Sequence, residues 1–162
     1  MTMPRALEPA EWELWHIWMQ AQRLLARELD RQLQQDYGIS KAEFSVLVSL
    51  HQAAGGQLRV GELADSLAWD KGRVAHQLTR MEGRDLVTRI ESGSAGRRTG
   101  VALTAKGRSA VRQAIQGHEG NIRRYFFDQL APEQAAAIKA WSRQTLDRID
   151  AAGDQAGAPA VD

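Results

Sequence analysis

The chain has no cysteine and only four prolines in 162 residues. The first absence excludes disulfides, thiolate metal sites and cysteine-based redox sensing. Between Pro9 and Pro132 there is no proline at all, so nothing in that stretch forces a helix to break. No run approaches the roughly 20 apolar residues that a membrane span requires. The opening MTMPRALEPAEW has no basic segment followed by an apolar one, as an export signal would. A cytoplasmic protein without membrane contact is the expectation. Also missing are a phosphate-binding glycine loop, a nucleophile elbow and a His-Glu zinc helix. The four histidines, His16, His51, His76 and His118, form no i, i+4 pair. Neither enzymatic activity, a cofactor nor a metal is expected.

What is present is an uneven distribution of charge. The net charge is +1, yet nine Lys/Arg stand against four acids between Trp69 and Arg108, giving that segment +5 and the remainder −4. A basic block in a near-neutral chain suits a polyanionic partner, although such runs also occur as plain solvated faces.

Apolar residues fall mainly at helical spacing, so the fold class is mainly α with one short β element. A helix over Glu11–Asp36 carries Trp15, Ile17, Trp18, Leu24, Leu25, Leu29 and Leu33. It would be about 40 Å long, more than one small domain can cover. Ser40-Lys41-Ala42-Glu43 is a capping box that opens a second helix. Val60–Leu67 and a helix from Lys71 to about Arg84, with Asp70 as N-cap and a tight turn at Ala68-Trp69-Asp70, form a helix-turn-helix pattern. Leu86–Ile90 and Thr99–Leu103 read as two strands joined by a small-residue loop, a two-stranded β wing. Thr104 caps a helix to about Leu130, and Ala131-Pro132 starts a last one with Ile138, Trp141, Leu146 and Ile149 on its apolar side. From Ala151 onward, Ala, Gly, Pro and Asp predict a disordered tail.

The second helix of the pair holds the candidate chemistry. Val74, Leu78 and Met81 form its apolar face, and Arg73, His76, Gln77, Arg80 and Arg84 are assigned to the opposite side. Arginine can pair with guanine and glutamine with adenine, so this helix is expected to enter a major groove. The expected DNA-contacting set is Asp70, Lys71, Gly72, Arg73, His76, Gln77 and Arg80. In the wing, Ser94, Arg97 and Arg98 are expected to meet phosphates or a narrow minor groove. Gly72, costly inside a helix, could allow close approach of the backbone to DNA. Trp69 could pack in the turn or stack near the DNA backbone, and packing is the stronger reading. On the first helix Trp12, Trp15, His16 and Met19 could line a pocket for a flat ligand, in competition with core or dimer packing.

The order of elements, together with VGELADSLAWDKGRVAHQLTRMEGRDLVTRIES and GRRTGVALTAKG, resembles the MarR family of bacterial regulators over roughly residues 10 to 150. That resemblance implies a homodimer, reading of double-stranded DNA by the helix after Asp70, minor-groove contact by the wing, and often release by a small anionic aromatic effector. The corresponding organisation is an N-terminal dimerisation helix (1–36), a winged helix-turn-helix (37–104), C-terminal dimerisation helices (105–150) and a tail (151–162). Two copies favour a pseudo-palindromic operator. The family pattern usually has Asp-Arg at the wing tip, where this chain has Gly96-Arg97, and Gly before Leu86, where it has Asp85. Aspartate tolerates the left-handed conformation that such a turn requires. The competing function is a winged-helix scaffold that binds protein and no specific DNA; the cationic helix face argues against it.

Overall fold

The computed structural model describes residues 5–91 and 100–156. The chain divides into two compact units, the first ending at Asn121 and the second beginning at Ile122.

The first unit opens with α1 (Pro9–Tyr37), started by Pro9 in its first turn and closed by Gly38 in the left-handed conformation. Next comes α2 (Lys41–Gln52), for which Ser40 and Glu43 form the expected reciprocal capping box. A short 3-10 turn leads to β1 (Gln57–Arg59), and α3 (Val60–Leu67) and α4 (Lys71–Gly83) form the helix-turn-helix. The strands β2 (Val87–Ile90) and β3 (Gly100–Leu103) follow, and then α5 (Ala105–Tyr125).

The expected two-stranded wing acquires a third strand. β1 pairs antiparallel with β3 on the side away from β2, giving the order β1-β3-β2 with Leu58 opposite Val101 and Arg89 opposite Val101 on the other flank. Three residues are too few to show an alternation. Its pairing with β3, centred on the fully buried Val101, and the packing of Leu58 against the core hold β1 in place.

The core of this unit is built by Val46, Leu47 and Leu50 of α2, Leu63 of α3, Val74, Leu78 and Met81 of α4, and Val101 and Leu103 of β3. Leu33 from α1 and Val111 and Ala114 from α5 join it. The core therefore extends past residues 36 and 105, where the sequence reading divides the chain. Gly107 is required at the start of α5, because a Cβ there would lie 2.0 Å from the Leu86 carbonyl oxygen. Thr104 caps this helix as expected: its hydroxyl accepts from the Gly107 N–H at 2.9 Å and donates to the Asp85 carbonyl at 2.6 Å.

The second unit contains the end of α5, a 3-10 turn at Phe127–Gln129 and α6 (Pro132–Ala156). Two boundaries differ from expectation. α5 stops at Tyr125 rather than Leu130: Phe126, with φ −119°, departs from helical geometry, a 3-10 turn follows at Phe127–Gln129, and the Phe126 and Phe127 rings pack edge to face at 5.1 Å. α6 continues six residues past Asp150 into the segment expected to be disordered, since alanine there propagates a helix already nucleated.

Candidate nucleic-acid interface

The α3–α4 turn is built by residues in unusual conformations. Ala68 ends α3 with φ 51°, and Trp69 donates its N–H back to the Ala64 carbonyl at 3.0 Å. Trp69 is half-buried against the core. Asp70 then caps α4, its carboxylate accepting from the Arg73 N–H at 2.8 Å. The cap fixes where the helix begins and thus which side chains leave its first two turns.

Those side chains divide by angle around the helix, at ~100° per residue. Val74, Leu78 and Met81 are fully buried. Lys71, Gly72, Arg73, His76 and Arg80 are exposed, together with Ala75 and Thr79, which were not singled out from the sequence. Their methyl groups are of the kind that contacts thymine in a major groove. Gly72 faces outward, and a Cβ on it would come within 3.1 Å of the Asp70 Oδ1, so its bareness first serves the cap.

Gln77 is a correction. It is only 8 % exposed, on the core side of α4. Three residues beyond Val74, it lies ~60° from that residue around the helix; its polarity suggested the outer face, and its position decides for the inner one. Arg84 also differs from its assignment to the outer face. Its Nη1 donates to Glu43 Oε1 at 2.5 Å and its Nη2 to the Gly38 carbonyl at 2.9 Å, a contact between residues 46 apart that no local pattern announces.

The Glu43 carboxyl is 5 % exposed as a residue. Burial pushes its pKa up, but the Ser40 N–H at 2.8 Å, the Arg84 guanidinium and the Ser40 hydroxyl outweigh this and hold it below its ordinary value. The result is an ionised carboxylate that accepts from the Ser40 N–H and the Arg84 guanidinium and ties the start of α2 to the end of α4.

The MarR family model matches residues 39–99. The solved structure of Sco3205, a MarR family transcriptional regulator from Streptomyces coelicolor in complex with DNA, is 32% identical, with a TM-score of 0.79 over 90% of this chain and 91% of that one. This chain belongs to the MarR family. AbsC, another MarR family transcriptional regulator from the same organism, is 29% identical with a TM-score of 0.80 over 91% of this chain and 99% of its own. A mutant MarR from E. coli complexed with operator DNA, 23% identical, shares the fold at a TM-score of 0.69 over 83% of this chain and 94% of its own. A comparison with curated proteins finds no match.

In this MarR regulator the basic block resolves into two groups. Arg84, Arg89, Lys106 and Arg108 are engaged internally: Arg89 with Glu82 at 3.3 Å, Lys106 with the Arg84 carbonyl at 2.8 Å and Arg108 with the Leu103 carbonyl at 2.7 Å. Lys71, Arg73 and Arg80 are exposed and, among the described residues, face no carboxylate partner. Ser94, Arg97 and Arg98 of the wing lie outside the described residues. The Asp85 turn takes the left-handed conformation with φ 56°, as expected where the MarR pattern has glycine.

Trp12, Trp15, His16 and Met19 are all exposed on α1. The Trp12 and His16 rings stack at 5.4 Å with 22° between their planes. No group of three His, Asp or Glu side chains is placed to hold a metal ion among the described residues. None of the described helices is long and apolar enough to cross a membrane.

Proposed function

We infer that this protein is a sequence-specific DNA-binding transcription regulator that grips a pseudo-palindromic operator as a homodimer, acting by binding and not by catalysis, in the cytoplasm. One observation carries the reading: α4 is anchored to the core by Val74, Leu78 and Met81, and presents Lys71, Arg73, His76 and Arg80 outward from a capped N-terminus. Lys71, Arg73 and Arg80, which form no ion pair among the described residues, on a helix of major-groove width suit a phosphate-lined groove. The Streptomyces relative in complex with DNA supports the same use.

The homodimer is supported by apolar surface on α1. Leu14 is 70 % exposed and Ile17 58 % exposed, in a helix whose only fully buried residue is Leu33, near its end. A second copy is the occupant whose concentration always matches that of the first. Occupation of a promoter by such a dimer excludes the polymerase, which makes repression the proposed mode.

The test is titration of the purified protein against a labelled duplex from upstream of its own gene and against a scrambled duplex, at two salt concentrations. Tight, salt-steep binding to the first and weak binding to the second is expected. Equal and weak binding to both counts against specific recognition.

A further inference from the structure

We propose that Trp69 is a specificity-determining positioning residue, holding the Arg73 guanidinium in the pose in which it reads a base edge. This rests on the DNA-reading role of α4. The guanidinium carbon of Arg73 lies 3.9 Å from the centroid of the Trp69 ring. The ring is itself held by packing against the core, and the Trp69 backbone that carries it is fixed by its main-chain N–H, which donates to the Ala64 carbonyl at 3.0 Å. At the other end, the backbone of Arg73 is fixed by the Asp70 cap at 2.8 Å. An exposed arginine ordinarily samples many rotamers, and this one is bracketed from both sides.

An aromatic face suits this task better than a carboxylate would. A carboxylate would occupy the N–H fork that recognises guanine, whereas a ring attracts the cation through its face and leaves the in-plane donors available. Among the described residues no acid pairs with Arg73. The stack thus lowers the ordering cost of binding without consuming the hydrogen bonds that binding uses. Trp69 need not touch DNA to influence which base is chosen, because a misplaced guanidinium contacts phosphate as readily as guanine.

The experiment is selection from a pool of randomised duplexes of about 30 base pairs, long enough for two half-sites a helical turn apart. Wild type, Trp69→Met, Trp69→Phe, Arg73→Ala and Arg80→Ala are compared, each checked for folding by its thermal melt. Trp69→Met is expected to relax preference at the same base pair in each half-site that Arg73→Ala relaxes, with about a fivefold loss of affinity for the selected site. Trp69→Phe should fall between it and wild type. A merely structural tryptophan would weaken all positions alike, so an unchanged sequence preference in Trp69→Met alongside a relaxed one in Arg73→Ala overturns the proposal and leaves DNA reading intact. Should Trp69→Met fail to fold, Trp69→Phe decides: partial relaxation at the Arg73 base pair supports positioning, and a wild-type preference overturns it. No enrichment by wild type, or wild-type preference in both arginine variants, removes α4 from the reading role and the proposal with it.

Discussion

Gln77 and Arg80 carry the same kind of side chain on paper, long and rich in donors, and the backbone sends them to different surroundings. Gln77 is buried beside Val74, Leu78 and Met81, and Arg80 is exposed. The two should therefore separate in experiment. Arg80→Ala is expected to lower operator affinity by about 1–3 kcal/mol while leaving the melting temperature unchanged. Gln77→Ala is expected to do the reverse: about 1 kcal/mol of stability lost, read from chemical denaturation, with the selected DNA sequence unaltered. The sequence reading assigns both to the face opposite Val74, Leu78 and Met81, but Gln77, only ~60° from Val74 around the helix, belongs to the inner side. Arg84 was not legible in that way, since its partners Glu43 and the Gly38 carbonyl come from elsewhere in the chain.

At the scale of elements, caps and turns were the most readable features, because their signals span three or four adjacent residues. Ser40, Asp70 and Thr104 were each placed at a helix start from sequence, and each side chain accepts the bond expected of it. β1 was not readable, since its three residues are held by a strand more than forty positions away. Asp70→Ala should cost about 1 kcal/mol by leaving the first turn of α4 uncapped, measurable in a urea titration. Ala68 holds a left-handed conformation that a Cβ disfavours. Ala68→Gly is accordingly expected to raise the melting temperature.

The Glu43 carboxylate gives the α2–α4 junction a pH dependence of definite sign. Because its folded-state pKa lies below its ordinary value, the folded state favours the ionised form. Its stabilisation is complete above the ordinary glutamate value and is lost as pH falls through the lowered one. Glu43→Gln should therefore be less stable than wild type at neutral pH, with the difference narrowing as the solution is acidified below the glutamate range. A gap that stays constant with pH would show that the charge contributes nothing there.

For the molecule as a whole, a helix pattern too long and too apolar for one small core is visible in the sequence, as is a helix-turn-helix from Val60 to about Arg84, which the structure ends at Gly83. The extent of α6 is not, because composition alone cannot distinguish a fraying helix end from a tail. If α1 joins two copies through its exposed Leu14, Ile17 and Leu24, the protein should sediment as a dimer. Leu14→Glu together with Ile17→Glu should shift it toward the monomer and weaken operator binding with it.

The bond from Arg84 to the Gly38 carbonyl joins the last turn of the reading helix to the end of a helix of 29 residues, a rod of about 43 Å. If α4 reads DNA as proposed, this latch to the rod restrains its swivel toward a half-site that has moved. One base pair inserted between half-sites shifts the second by about 3.4 Å and turns it by about 34°. A homodimer of the kind proposed would then act as a caliper whose jaws are set in advance, measuring the distance between two words as it reads their letters. Arg84→Ala loosens the jaw, and such a variant should accept operators of altered spacing that the wild-type protein rejects.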